Sequence, residues 1–321
     1  MDNGNFEVSV IMATYNPVWE KCVFTLDSVI GQKGVRLELI IVDDGSADNL
    51  FAGFAGYFES KGFTDYRLID HKENQGTVKN YLDGISAAKG RYIKLISPGD
   101  ALFSESSLAE WIRFLDESGK SWSFADAVYY GSFDGKAKIN STPLAPRVID
   151  CYLEDDEPVC RWNYIVLEDL PLGAAILCDR SLFLEYLNIV TGKVIYSEDL
   201  SYMLMMFDGI VPAYYSKPCI FYEFGCGVST SSDQKWRDRF LKDLREAELL
   251  IMNKENKDTL QVKISNALTK MNSGNNSKKR LVKNMQKGGF KKVVKFRFDP
   301  RMSSEDISGC GKWWNDYEHR Y

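Results

Sequence analysis

Five carboxylates stand where apolar stretches of this 321-residue chain give way to polar ones. Asp43 and Asp44 follow Leu37–Val42, Asp100 follows Ile96-Ser97-Pro98-Gly99, and Glu198 and Asp199 follow Tyr196-Ser197. A fixed carboxylate can accept from a ring N–H, take a proton from an attacking hydroxyl, or ligate a divalent cation. A polar cluster without acids, Ala13-Thr14-Tyr15-Asn16, follows another apolar run, Val8–Met12. Adjacent acids and hydroxyl-bearing residues at such places point to recognition of a hydroxylated, basic-ring or metal-bound ligand.

The elements that must position them are strands. Short apolar runs ending in turn chemistry read as buried parallel strands, and ligands of open α/β sheets bind outside the carboxyl ends of such strands. Ala13, Thr14, Tyr15, Asn16, Asp43 and Asp44 are therefore expected in one crevice. The pattern predicts strands near 7–13, 36–43, 66–70, 91–96 and 126–131, alternating with helices near 18–31, 48–61, 76–88 and 104–118. Gly90, Pro98-Gly99 and Gly131 punctuate it. Residues 135–171, with four prolines and the acidic run Glu154–Glu157, read as a long excursion outside the core, of the kind used for lids and binding loops. Beyond it come a strand at 174–178, helices at 180–189 and 199–207, one or two strands within 210–224, and helical patterns over 233–253 and 257–272. The expected fold is α/β: a Rossmann-like, mostly parallel sheet flanked by helices over 1–231, with a helical, basic C-terminal extension over 232–321.

Composition narrows the classes. Hydrophobic residues make up 45% of the chain, enough for a real core. No apolar run approaches the roughly 20 residues that span a bilayer. The N-terminus lacks the basic-then-apolar layout of a secretory leader, so a cytosolic location is expected. Seven cysteines without CxxC spacing fit reduced thiols, and two histidines make a His-rich zinc site improbable. The net charge of −5 is uneven, because Lys278–Arg297 holds nine basic residues and no acid. No nucleic-acid-binding module accompanies that run.

The segments VSVIMATYN, IIVDDGS, NQGTVKN, AKGRYI and SED, in this order between Glu7 and Thr230, resemble the family 2 glycosyltransferases of GT-A fold. The resemblance implies an inverting enzyme that moves a hexose or N-acetylhexosamine from a UDP-sugar to a glycan hydroxyl in bacterial surface-polysaccharide synthesis. It places Asp44 on the uracil N–H, beside Asp43 and a wall of Ala13, Thr14, Tyr15 and Asn16. The alternative is that Asp43 and Asp44 cap the next helix or hold the turn. Asn74, Gly76 and Lys79 open a helix, where the glycine allows close backbone approach and Lys79 would face the diphosphate. Lys79 as an ordinary solvated helix residue is the other reading.

Most relatives carry an Asp-x-Asp at the turn that here reads Ser97-Pro98-Gly99-Asp100. Ser97 and Gly99 replace the two carboxylates, leaving Asp100 to ligate Mg²⁺ or Mn²⁺. The family implies Asp199 as general base with Glu198 beside it; helix capping is the competing account. Leu172–Ala175 either let backbone approach a sugar ring or pack a strand tightly. The two glycines within 222–230 make either a loop closing on phosphate or a plain connection. His71 reads as structural.

Basic and apolar residues interleaved at near-helical spacing over 278–297 fit a helix on an anionic membrane surface, which suits a lipid-linked acceptor at the inner face of the plasma membrane. A solvated helical face is the alternative. The departure at 97–99 also motivates a rival function, a catalytically impaired nucleotide-sugar-binding homologue. A dehydrogenase is disfavoured because no GxGxxG follows the first strand.

Overall fold

The computed structural model describes residues 6–133, 136–140, 145–223 and 234–273. In chain order the elements are β1 (Val8–Thr14), α1 (Trp19–Ile30), β2 (Leu37–Asp43), α2 (Phe51–Lys61), β3 (Tyr66–Asp70), α3 (Thr77–Ala87), β4 (Tyr92–Ile96), β5 (Ala101–Leu102) and α4 (Ser107–Ser118). Then follow β6 (Trp122–Phe133), β7 (Lys136–Asn140), α5 (Asp150–Leu153), α6 (Glu157–Val166), β8 (Ile176–Asp179), α7 (Arg180–Val190), α8 (Ser201–Phe207), β9 (Ala213–Glu223), α9 (Gln234–Met252) and α10 (Thr259–Asn272).

The strands form one mixed sheet in the order β3-β2-β1-β4-β8-β6-β9-β5, with β7 paired to β6. The first half is parallel, and β8 joins it antiparallel. Register decides where the chemistry goes. Thr14 lies opposite Asp43 and Met12 opposite Ile96, so β1, β2 and β4 end at one edge and deliver their following turns side by side.

The period-2 alternation of strand side chains divides the apolar residues between the two faces. Ile11, Ile40 and Val42 join one buried cluster with α3, α7 and α8; Val10, Met12, Leu39 and Ile41 join the other with α1, α2 and α4. Each large side chain so buried, such as Phe58 or Trp111, contributes about 1.5–3 kcal/mol relative to an exposed one. The extension is part of the first cluster: Leu244, Ala247 and Ile251 of α9 and Ile264 and Leu268 of α10 pack with Tyr164, Met203 and Phe207. A buried cation fixes the joint. Arg161 donates to the Met206 and Phe207 carbonyls at 2.9 and 2.7 Å and pairs with Glu157 and with Asp258, the N-cap of α10.

Several elements differ from the sequence expectation. The segment 135–171 is not an excursion, since it holds α5 and α6, and Cys160–Val166 are all buried. Pro158 sits in the first turn of α6, where a missing N–H costs nothing, and Asp156 caps that turn. α2 starts at Phe51 rather than 48, because Asp48 and Asn49 side chains accept from the Leu50 and Phe51 N–H groups and hold a turn. Gly173–Ala175 form a short 3-10 turn before β8, and Glu198–Leu200 another before α8. Among the described residues no helix is long and apolar enough to cross a membrane. The five described cysteines are buried and unbridged. Residues 224–230 of the glycine loop and the basic segment 278–297 lie outside the described residues.

Candidate active site

A cleft of about 240 Å³ opens at the carboxyl edge of the sheet. The β4 turn supplies Ser97, Pro98 and Asp100; the 3-10 turn before α8 supplies Glu198 and Asp199. Lys21 of α1, Thr77 and Tyr81 of α3, Leu172–Ala174, Tyr196, and Tyr222 and Glu223 of β9 complete the wall. Acids more than a hundred residues apart in sequence thus face one space.

Burial shapes their protonation. Glu198 is pushed up to about 8, first by burial and then by the Asp199 charge. Asp199 rises to about 6 by burial, held back by its own backbone N–H and raised further by Asp243. Burial and mutual repulsion make the two carboxyl groups titrate as a pair rather than independently. Any side chain at Gly173 would press on the Asp199 carboxylate, whose Oδ2 would lie 3.2 Å from the added Cβ. Gly173 therefore makes room for the acid. Asp100 is also raised, to about 7, by desolvation, opposed by a hydrogen bond from the Glu223 N–H at 3.0 Å and by Lys94.

The remaining expected residues form the neighbouring edge of the sheet. Asp43 accepts from Thr14 Oγ1 (2.8 Å), Ser46 N (2.7 Å) and Ser46 Oγ (2.7 Å), and Ser46 Oγ in turn accepts from Asn16 N at 2.6 Å. Its carboxylate is consumed by the turn. Asp44 accepts from Gln75 N at 2.8 Å and Gly76 N at 2.9 Å, with His71 Nδ1 3.7 Å away. These bonds tie the β2 turn to the start of α3, the turn-holding role weighed against base recognition. Tyr15 and Asn74 are exposed, and Ala13 is half-buried. Lys79 pairs with Asp83 one helical turn on, and Asp83 also meets His71 Nε2 at 3.1 Å.

Gly76 brings backbone close not to an open ligand space but to Ile195. Its φ is 92°, a region only glycine adopts readily, and a Cβ there would fall 2.7 Å from the Ile195 carbonyl oxygen. Val78 N donates to that same carbonyl at 3.0 Å. Ile195 and Tyr196 are held from the other side by Asp243 of α9, which accepts from their N–H groups at 3.1 and 2.7 Å. Asp44, Gly76, Ile195 and Asp243 thus form one chain of contacts that aims the Glu198-Asp199 turn. Arg239 of α9 lies over the Tyr196 and Trp236 rings at 4.7 and 4.5 Å and closes that side.

Sequence reasoning missed Asp243, Lys21, Glu223 and Lys94. Asp243 had a legible signal: an acid amid the apolar stripe Leu244, Ala247, Ile251 is a buried polar group in need of partners. Lys94, inside an apolar strand, had the same signal. It is fully buried, donates to the Leu95 and Ala174 carbonyls and is pushed down to about 8 by burial.

Residues 9–164 match the family model described as Glycosyl transferase family 2. The likeness to family 2 glycosyltransferases thus runs from β1 through most of α6. The succinoglycan biosynthesis protein ExoO of Rhizobium meliloti is 32% identical over 96 residues, covering 30% of this chain and 26% of that protein. An uncharacterized glycosyltransferase of Rickettsia felis is 27% identical over 194 residues, covering 55% of this chain and 31% of that protein. The chain therefore spans about a third or less of these curated relatives. Among solved structures, Staphylococcus aureus TarS 1-349 in complex with UDP aligns over 98% of this chain and 92% of its own, with TM-score 0.54 at 16% identity. The mannosyltransferase PcManGT of Pyrobaculum calidifontis, in complex with GDP-Man and Mn²⁺, aligns over 98% and 88% with TM-score 0.56 at 15% identity. At such identities the likeness establishes the fold.

The expected metal does not fit the residues present. A hard divalent cation needs several oxygen ligands, commonly including one or two carboxylates. Among the described residues no three His, Cys, Asp or Glu side chains are grouped to hold one. Asp100 is the one acid of its turn, is 4% exposed, and already accepts from the Glu223 N–H. The Glu223 carboxylate is itself engaged by Lys21.

Proposed function

We propose that this domain transfers a sugar, a hexose or N-acetylhexosamine, from a UDP-sugar to a glycan hydroxyl with inversion at the anomeric carbon. The observation that carries the reading is the Glu198-Asp199 pair facing the β4 turn across one cleft. The reaction needs a base on one side of the anomeric carbon and a held diphosphate on the other. Asp199, the more acidic of the pair, takes the proton of the acceptor hydroxyl. The acceptor oxygen forms its bond to the anomeric carbon as the bond to the diphosphate oxygen breaks, and the electron pair leaves with the diphosphate. One displacement inverts the centre. Such general-base assistance is worth about 10²–10⁴ in rate. Protonated Glu198 can donate to the acceptor or to Asp199. The nucleoside is assigned to the adjoining edge of the sheet, against Ala13–Asn16, Asp43, Asp44, Asn74, Gly76 and Lys79, with Asp44 retaining lone pairs for the base N–H.

The TarS complexes with UDP and UDP-GlcNAc support a uridine donor, and the GDP-Man complex of PcManGT keeps guanosine donors in the test. The succinoglycan relative supports a polysaccharide acceptor. A lipid-linked acceptor on the inner face of the plasma membrane, approached through 278–297, is part of the same proposal. A panel of UDP- and GDP-sugars, scored for nucleotide release with and without glycan acceptors, tests it. Release from a UDP-sugar, accelerated by acceptor, is expected. Nucleotide binding without release would instead favour the impaired homologue that Ser97 and Gly99 motivate.

A further inference from the structure

The cleft carries a charge problem. Its described lining has four carboxylates, Asp100, Glu198, Asp199 and Glu223, and one cation, Lys21. A nucleoside diphosphate entering this space, and gaining charge as it leaves the sugar, requires positive charge opposite it. Among the described residues no three metal-ligating side chains are grouped to supply a metal site. The lining supplies an ion pair in the corresponding place. Lys21 Nζ lies 2.7 Å from both Glu223 oxygens. The Glu223 carboxylate in turn occupies the space beside Gly99, where a side chain on residue 99 would begin: a Cβ there would collide with Glu223 Oε2.

Gly99 itself has φ 102°, closed to aspartate without strain. The turn is locked in that form. Thr25 Oγ1 accepts from Gly99 N at 3.0 Å and donates to the Asp100 carbonyl at 2.7 Å, and the Tyr130 hydroxyl donates to the Gly99 carbonyl. The first turn of α1 is bound to it as well, with Gly99 N also directed at the Lys21 carbonyl at 3.3 Å. Where an Asp-x-Asp turn would hold a metal, this chain places a carboxylate from β9 and an ammonium from α1.

We propose that Lys21, held at the cleft wall by Glu223, supplies the countercharge to the nucleoside diphosphate, so that transfer proceeds without a divalent metal. This rests on the transferase reading above. The bond changes are unaltered; Lys21 donates hydrogen bonds to the diphosphate oxygens as charge grows on them, and Glu223 keeps the ammonium charged and in place. The test uses the full chain. UDP and GDP binding is measured by calorimetry, and nucleotide release from the donor panel is followed in excess chelator and in added Mn²⁺ or Mg²⁺, for wild type, Lys21→Met, Lys21→Arg and Glu223→Gln.

Wild type is expected to bind and turn over equally with chelator and with metal. Lys21→Met should lose about 100-fold or more in kcat, as for loss of a charge-stabilising donor, with partial recovery of kcat in Lys21→Arg. Glu223→Gln should lose less than Lys21→Met. Activity abolished by chelator and restored by Mn²⁺ overturns the proposal while leaving the transferase reading intact, as does a Lys21→Met enzyme of wild-type kcat. Failure of wild type to bind either nucleotide, with or without metal, overturns the transferase reading and this proposal with it.

Discussion

Replacing Asp243 by alanine should damage the active site from a helix that does not line it. Asp243 is 2% exposed, and its two oxygens accept from Ile195 N and Tyr196 N at 3.1 and 2.7 Å. Hydrogen bonds to a charged group are worth about 1.5–3 kcal/mol each, and the alanine variant leaves both donors buried without partners. Part of that loss is offset, because Asp243 also repels the Glu198 and Asp199 carboxylates. A net destabilisation of about 2–4 kcal/mol follows, which lowers the melting temperature by about 4–8 °C for a chain of this size. The electrostatic part has its own signature. Removing a negative charge lowers the Glu198 and Asp199 pKa values, so the acidic limb of the pH–rate profile should move to lower pH in Asp243→Asn, which keeps one acceptor and the side-chain volume. Calorimetric melts and a pH–rate series on the two variants check both parts. An unchanged melting temperature in Asp243→Ala, or an acidic limb that stays put in Asp243→Asn, would refute the reasoning.

Stability should fall as pH rises from about 4 to about 8, because Asp100, Glu198 and Asp199 have folded-state pKa values raised to about 7, 8 and 6. The folded state binds the extra protons, so their stabilisation is complete below the unfolded values near 4 and is lost through the folded ones; Glu198→Gln should flatten the melting-temperature profile between pH 6 and 8. The transfer rate itself should rise with pH through about 6 as Asp199 ionises, and a profile that falls there would remove Asp199 as the base. Gly76→Ala should melt earlier and transfer more slowly, since a Cβ at φ 92° would strike the Ile195 side chain and carbonyl, with backbone strain alone costing of order 1–3 kcal/mol; a wild-type melt would show that the 195–199 turn does not lean on this glycine.

The parallel half of the sheet was legible because β1, β2 and β4 are buried on both faces, so each reads as a mostly apolar run, interrupted once by Ser9, Glu38 or Lys94, with a polar stop. The stops located Asp43, Asp44 and Asp100, while Glu198 and Asp199 were legible as adjacent acids opening a helix. What periodicity does not encode is which partners two adjacent buried acids take. Asp43 binds Ser46, three residues on, which a local window contains, and Thr14, 29 residues back, which it does not. Gly76 was legible as a close-approach position, but its neighbour, Ile195, is supplied by tertiary packing. The excursion over 135–171 was misread because Pro158 looks like a helix breaker until it is placed in the first turn. Lys21 and Glu223 lie 202 residues apart, and neither carries a local sign of the other.

The most direct measurement compares Asp199→Asn with wild type for UDP-sugar binding by calorimetry and for single-turnover transfer to a glycan acceptor. Unchanged donor affinity with transfer reduced by about 10²–10⁴ is the predicted result. Near-normal transfer in that variant would contradict the assignment of this cleft as the place where the acceptor hydroxyl is activated.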